Sequence, residues 1–470
     1  MPLRQQRLRA DAPELTAALA AIRADLGAEE AFPPAVEAEA ARSAERPLEG
    51  ADRTDVPFVT IDPEGSTDLD QALAIEADGD GHVVRYAIAD VPAFVEPGGA
   101  VDAEARRRGQ TLYAPDARVP LHPTVLSEDA ASLLAEQERQ ALVWTFVLDA
   151  DGAVRDTSLE RARIRSREQL SYPEAQARID AGDAMLGMLR AVGERRIALE
   201  AARDGASLDT PDEEVVHDER GWRIERRAPL PVEQWNAQLS LMTGMEAARL
   251  QLAAGEGVLR TMPRPSKAAI ADFRRATEAL GVPWLPSEHY GAFLRRLDRA
   301  EPTTVAILAA ARRLFRGADY LVLDGRTPGA DAVVQAAIGA PYAHATAPLR
   351  RLVDRIVLAH CEAIANGRDV PAWASAAAQD VPDAMRSSGS RASQLERESL
   401  QAVAAWILAD RVRDEVDALV VERRDDEAVV LLVDPPVEVR VVTDAEPATR
   451  IRVRVRAASL ADRTIELDEV

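Results

Sequence analysis

Ile61-Asp-Pro-Glu-Gly-Ser-Thr-Asp-Leu-Asp70 is the stretch on which the reading of this 470-residue chain turns. An apolar, β-favouring run precedes it (Val56, Phe58, Val59, Ile61), and a second follows at Leu73, Ala74 and Ile75. Between them Pro63 and Gly65 bend the backbone, while Asp62, Asp68 and Asp70 supply carboxylates. A strand that stops, loops tightly and restarts brings these three side chains to one strand end. Carboxylates gathered in this way repel unless a proton or a cation lies between them. Hard divalent cations such as Mg²⁺ take oxygen sites of this kind, completed by water and substrate phosphate. The same residues also suit an ordinary acidic turn, since Asp, Gly and Pro are what turns use. On spacing alone the two readings stand level.

Outward from this stretch, strand signals dominate from Val56 to about 150. Asp78-Gly-Asp-Gly81 reads as a hairpin turn, and Asp149-Ala-Asp-Gly152 as another. Asp90 ends the strand after the first hairpin, where it either joins the aspartates or caps the next turn. Helical periodicity then takes over across 185–203, 233–254, 266–280, 292–299, 303–315, 349–366 and 393–414. A mixed sheet with a large helical covering is an α+β domain.

The two ends differ from this middle. Residues 1 to 50 read as helical, with Leu15, Leu19, Ile22 and Leu26 at helical spacing, a stop at Gly27, and an Ala-rich helix after Pro33-Pro34. They suit a cap packed on the main domain or a helix-turn-helix-like module. Over 415–470 five short β-like runs at regular spacing predict a small barrel. In its fourth run Arg450, Arg452, Arg454 and Arg456 alternate with Ile451, Val453 and Val455, and a period of two puts all four arginines on one face. Four like charges without a partner repel, which favours a surface that follows a single-stranded backbone over a merely solvated one.

The formal charge of −22 speaks against a polyanion-binding protein. Salt, however, screens net charge beyond roughly 8 Å at physiological ionic strength, so an arginine-lined groove can still hold phosphates. Lys267 is the only lysine. The single cysteine, Cys361, excludes an intrachain disulfide and a cysteine-rich zinc site. No run approaches a membrane span, and the first nine residues lack the apolar core of a signal peptide, which together point to the cytoplasm. No nucleophile elbow, P-loop or dinucleotide fingerprint is present.

Asp62-Pro-Glu-Gly-Ser-Thr-Asp-Leu-Asp-Gln-Ala-Leu73 resembles the signature of the ribonuclease II (RNB-domain) family. The resemblance continues through Tyr86-Ala-Ile-Ala-Asp-Val91, Pro97-Gly98, Ala105-Arg-Arg-Arg-Gly109, Tyr113-Ala-Pro115, Val119-Pro120 and Leu126-Ser-Glu-Asp129. It returns in Tyr342-Ala-His-Ala-Thr-Ala-Pro-Leu-Arg-Arg351, with Asp354 three residues on. Ordered blocks across roughly 55–405 are far more specific than a lone motif. The resemblance implies an RNB-type catalytic domain over 51–414, preceded by the helical module 1–50 and closed by an S1/OB-like barrel over 415–470. The cold-shock barrels that commonly precede the family's catalytic domain have no room here.

The implied activity is divalent-metal-dependent hydrolysis of single-stranded RNA, 3′→5′, releasing 5′-mononucleotides along a channel wide enough for one strand. Paired metal ions activate the attacking water and neutralise the leaving oxygen. Asp62, Asp68, Asp70 and Gln71 would hold Mg²⁺, or Mn²⁺ in its place, with Asp70 most closely tied to cleavage and Asp68 beside it. Gln71 stands where the family has a fourth aspartate; its neutral oxygen implies weaker metal affinity. Arg350 falls on the family's functional arginine and would hold the scissile phosphate. Arg351 and Arg355 are secondary phosphate candidates, or else structural through Asp354. Tyr113 matches a tyrosine near the substrate's 3′ end, Glu396 a glutamate on the RNA path, and Asn236 an acidic family position where an amide still bonds a ribose hydroxyl. His344 reads as a structural hydrogen-bonding residue. Single-stranded RNA is the expected partner, with no membrane and no obligate protein partner. Two rivals remain: an RNA-binding protein that kept the channel and lost the chemistry, and a phosphoesterase acting on another nucleotide or on DNA.

Overall fold

The computed structural model describes residues 12–206, 208, 212–218, 221–299, 301–326, 328–424 and 427–470. The first nine residues, read above as lacking a signal peptide, lie outside these.

Two helices open the chain. In α1 (Pro13–Asp25) Leu15, Leu19 and Ile22 are fully buried, the i, i+4, i+7 stripe of an amphipathic helix. They join a core with Leu395, Val403 and Leu408 from near the other end of the chain. In α2 (Pro34–Ala44) Val36 and Ala40 join a different core, with Phe58, Leu69 and Leu126. The two helices thus pack into separate cores.

The centre is a closed, five-stranded barrel. Its strands are β1 (Ala51–Asp62), β2 (Gln71–Asp78) and β3 (Gly81–Ala89), followed, after the short helices α3 (Val91–Phe94) and α4 (Ala100–Arg108) and the ribbon β4 (Leu112–Tyr113) and β5 (Arg118–Val119), by β6 (Glu138–Leu148) and β7 (Val154–Ser171). The expected hairpins are β2–β3 and β6–β7. The sheet closes because the 18-residue β7 outruns β6 and pairs in parallel with β1, from Ala51↔Ala162 to Asp62↔Ser171. Alternation sorts the side chains. Leu73, Ile75, Tyr86, Ile88, Trp144 and Phe146 fill one core, whereas Ala72, Ala74, Ala87, Ala89, Ala141 and Val143 face another. Both faces are therefore dry. Truncating Trp144, which is fully buried and stacked on Phe146, would cost about 3–5 kcal/mol.

Helices α5 (Tyr172–Asp180), α6 (Ala184–Ala202) and α7 (Pro231–Ala254) cover the large-residue face. Between α6 and α7 lies a hairpin, β8 (Asp212–Asp218) with β9 (Gly221–Arg227). After β10 (Glu256–Thr261) come α8 (Lys267–Ala279), α9 (Tyr290–Arg295) and α10 (Pro302–Ala311), which build their own core around Phe273, Trp284 and Phe293. Then β11 (Asp319–Asp324) pairs with β10, and β12 (Val334–Gln335) with β13 (Ala340–Pro341).

Two long helices finish the domain, α11 (Leu352–Ala365) and α12 (Ala372–Ala409). The sequence-based start of the last helix at 393 is corrected to Ala372. The helix runs through Pro382 because Ala374, Ala377, Ala378, Val381 and Met385 are buried on both sides of it, and that packing outweighs one lost backbone donor.

The C-terminal strands are β14 (Glu415–Arg424), β15 (Glu427–Leu432), β16 (Glu438–Val442), β17 (Arg450–Ser459) and β18 (Thr464–Glu469). They pair antiparallel in the order β16-β15-β14-β17-β18, and β16 lies against β18, so the barrel is nearly closed.

Candidate active site

Asp62 is the last residue of β1 and Gln71 the first of β2, so the loop between them carries Asp68 and Asp70 back to the strand end. Gly65 turns it at φ +79°, where a side chain would be strained. Leu69 is the anchor: its side chain is fully buried, its N–H donates to Ser132 Oγ at 2.9 Å, and its carbonyl accepts from Leu133 N at 3.0 Å.

The other half of the site arrives from some 280 positions downstream. Gly244 on α7 lets the Tyr342 ring lie where a Cβ would meet it at 2.1 Å. The segment from Tyr342 to Arg351 is then folded around the buried Asp354. Asp354 Oδ1 accepts from Thr346 N at 2.9 Å and Ala347 N at 2.8 Å, and Arg351 grips both carboxylate oxygens at 2.8 Å. Folded this way, Leu349 N donates to Asp70 Oδ1 at 2.8 Å, and Arg350 Nε stands 3.6 Å from Asp70 Oδ2 with its side chain half exposed. Burial pushes the Asp70 carboxyl well above the usual range, an effect that Arg350 and the Leu349 N–H partly offset. Asp70 and Arg350 are thus a fixed pair, one buried and one facing out.

Asp68 and Asp62 are held differently. Asp68 Oδ1 accepts from Arg118 Nη1 at 2.5 Å, and the Tyr113 hydroxyl lies 3.4 Å from Oδ2. Asp62 has no such partner: its Oδ2 is buried without a hydrogen bond, and burial pushes its pKa up to about 7, eased by Arg350 and raised further by Asp68. A desolvated carboxylate oxygen with no donor is what a hard cation satisfies. Asp62 and Asp70 therefore fit a divalent metal. Among the described residues no group of three or more His, Cys, Asp or Glu stands closely enough to hold a metal ion, and Asp68 is paired with Arg118. Gln71 is likewise engaged: its Nε2 donates to Thr346 O at 2.5 Å, and its Oε1 accepts from the Tyr86 hydroxyl at 3.0 Å. Its amide ties β2 to β3 and to the distant loop.

The remaining expected residues divide. Tyr113, half exposed, lines a cleft of about 720 Å³ together with Glu396 and Arg397 of α12, Arg226 of the β8–β9 hairpin, Arg312 and Glu438. Asn236, buried near the start of α7, directs its amide at Ile61 O (3.5 Å) and neighbours Tyr172 beside Asp62. Arg351 is spent on Asp354, and the fully buried Arg355 on Asp102 at 2.5 Å and Val95 O at 2.9 Å. His344 Nδ1 shares a 2.8 Å hydrogen bond with the Tyr320 hydroxyl, and burial holds the ring neutral. Asp90 does not join the aspartates; its carboxylate turns to Arg161 and Gln140. Sequence reasoning missed Arg118 and Tyr172. Arg118 directly precedes the Val119-Pro120 block, but nothing distinguishes it among so many arginines.

The arginine strip of β17 is exposed as expected, but its premise of unpartnered charge does not hold. Arg452 pairs with Glu415 at 3.1 Å, Arg454 with Glu415 at 3.0 Å, and Arg456 with Glu466 at 3.0 Å. These carboxylates come from β14 and β18, registered on either side. Among the described residues Arg450 has no such carboxylate; it lines a groove with Arg226 and Arg452.

Comparison with known proteins agrees with this architecture. Residues 51–366 match the RNB domain, and 414–470 match the RNase II-type exonuclease C-terminal S1 domain. The chain belongs to the RNB-domain family. It is 29% identical over 330 residues to the probable exosome complex exonuclease RRP44 of Caenorhabditis elegans, covering 66% of this chain and 34% of that protein. It spans about a third of the length of the curated relatives it matches. Among solved structures, Mycoplasma genitalium RNase R in complex with ribose-methylated single-stranded RNA superposes with a TM-score of 0.86 at 18% identity, over 97% of this chain and 78% of that one. Yeast Ssd1, a pseudonuclease, superposes with a TM-score of 0.74 at 17% identity, over 97% and 58%. The shared fold thus occurs with and without nuclease activity. No helix among the described residues is long and apolar enough to cross a membrane.

Proposed function

We propose that this protein is a cytoplasmic, divalent-metal-dependent hydrolase that removes 5′-mononucleotides from the 3′ end of single-stranded RNA. The observation that carries the reading is the Asp70–Arg350 pair, joined across the length of the domain beside Asp62, whose buried Oδ2 has no hydrogen bond. A phosphodiester in hydrolysis needs a cation facing the phosphoryl oxygens and carboxylates behind the reacting centre. Arg350, half exposed and backed by Asp70, supplies a fork for the scissile phosphate. Asp62 and Asp70 would hold Mg²⁺ or Mn²⁺, which when bound supplies an activated water and neutralises the leaving oxygen. Tyr113 offers a phenol against the terminal nucleotide, and its contact with Asp68 ties that nucleotide's position to the carboxylates. Glu396 lies on the path of the RNA, and the Asn236 amide is a contact for a ribose hydroxyl. The cleft from Tyr113 past Arg226 and Arg312 is the path of the strand. The test is turnover of end-labelled single-stranded RNA with Mg²⁺ or Mn²⁺, alongside matched DNA and duplex RNA; mononucleotide release from single-stranded RNA alone is the expected result.

One observation favours a second reading, an RNA-binding protein without turnover. Gln71 replaces a carboxylate of the family pattern, and its amide is used up in structural bonds. RNA binding without product in the same assay would select it.

A further inference from the structure

Among the described residues many arginines are paired with carboxylates, as Arg178, Arg227 and Arg296 are, but three that are not lie together. Arg203 at the end of α6, Arg264 before α8 and Arg274 on α8 converge on a pocket of about 340 Å³. Among the described residues none of them has a carboxylate within ion-pairing distance. The Arg203 Nε is buried without a hydrogen-bond acceptor, and Arg264 is exposed. Arg274 lies 4.2 Å from the centre of the Trp284 ring and gives one hydrogen bond to Pro286 O. His289 also lines the pocket. Its Nδ1 accepts from Gly291 N at 3.2 Å, which leaves the proton on Nε2 as a further donor. Two carboxylates face the same space: Asp204, 3.9 Å from His289 Nδ1, and Glu288, which Arg296 neutralises. The balance is positive. The apolar wall is formed by Pro265, Ile270, Trp284, Val334 and Ala336, with Arg274 over the Trp284 ring.

We infer that this pocket binds a nucleoside monophosphate, with its phosphate among the three guanidinium groups and its ring against the apolar wall. Arginine forks are the side chains best matched to phosphate oxygens. The volume lies at the lower end for organic ligands, which suits one nucleotide and not an oligomer. The walls come from the α8–α9 core and the β12–β13 hairpin and include no residue of the Asp70–Arg350 centre. The ligand is a product of the reaction proposed above, so the choice of nucleotide rests on that reading; the pocket's preference for a phosphorylated, ring-bearing anion does not.

The experiment is calorimetric titration of the full chain with 5′-AMP, adenosine and inorganic phosphate, in parent, Arg264→Ala, Arg203→Gln and Arg350→Ala proteins, with RNA turnover measured in parallel. Arg264→Ala should weaken 5′-AMP at least about tenfold, the effect of losing one charge-assisted phosphate contact, and leave turnover unchanged. Adenosine should bind at least about tenfold more weakly than 5′-AMP for the same reason. Arg350→Ala should leave this binding intact. Absence of 5′-AMP binding, binding insensitive to both Arg264→Ala and Arg203→Gln, or equal affinity for adenosine would overturn the inference. Arg264-dependent binding in a protein without turnover would sink the ribonuclease reading and leave the pocket standing.

Discussion

Gln71 shows how much a single side chain can be asked to do at this site. Its amide gives a proton to Thr346 O and takes one from Tyr86, a pairing that only a group with both a donor and an acceptor can make. A carboxylate there would confront the Thr346 carbonyl with a second acceptor. Gln71→Asp should therefore destabilise the metal-free protein by about 1–3 kcal/mol, and added Mg²⁺ should raise the melting temperature of the variant more than that of the parent. Equal stability of the two metal-free proteins would refute this account of Gln71. Asp62 and Asp70 were legible as acidic residues in a tight loop between two strand signals, and Arg350 through the resemblance to the RNB-domain family. Arg118 was not. Its role follows from a loop conformation that turns Asp68 towards it, and local sequence does not encode that meeting.

Among the elements, the loop from Tyr342 to Arg351 carries the most consequence, since it sets where Arg350 points. Asp354 holds it through two buried backbone N–H groups and a two-pronged bond from the partly buried Arg351. Removing the carboxylate leaves those two N–H groups and the guanidinium without their acceptor, so Asp354→Ala should cost roughly 3–5 kcal/mol in urea unfolding. It should also lower kcat more than it raises KM, because the displaced group is Arg350. A variant as stable and active as the parent would contradict the loop's role. Helices such as α6 and α7 were legible from periodicity, and the β2–β3 and β6–β7 hairpins from turns such as Asp78-Gly-Asp-Gly81. The closure of the barrel was not, because the parallel match of β7 to β1 joins residues about a hundred positions apart. The first half of α12 was hidden by Pro382, which reads as a stop until the packing on both sides is known.

Across the whole molecule, charge and burial set the response to solution conditions. The β17 arginines Arg454 and Arg456 are already paired at the surface, where such pairs contribute about 0–1 kcal/mol. Replacing both with Gln should leave stability nearly unchanged and RNA affinity within roughly threefold, the range of one weak contact; a larger loss would restore the strip as an RNA surface. Acid acts on the interior. Burial, with help from Arg355, pushes the buried His122 down to about 3, and burial also keeps His344 well below its ordinary 6.5. Below pH 6.5 the unfolded chain therefore binds protons that the folded one does not, and stability falls as pH drops from 6.5 towards 3. Unfolding curves at pH 7.5 and 5 should show this loss, and His122→Leu should lessen it.

The most direct measurement is the time course of single-stranded RNA shortening by the parent and by Asp70→Asn, with RNA affinity measured on the same preparations. Asp70 touches the Leu349 N–H and Arg350, so losing its charge should cut the rate at least about a hundredfold while affinity holds within about twofold. Degradation by Asp70→Asn at the parental rate would contradict the account.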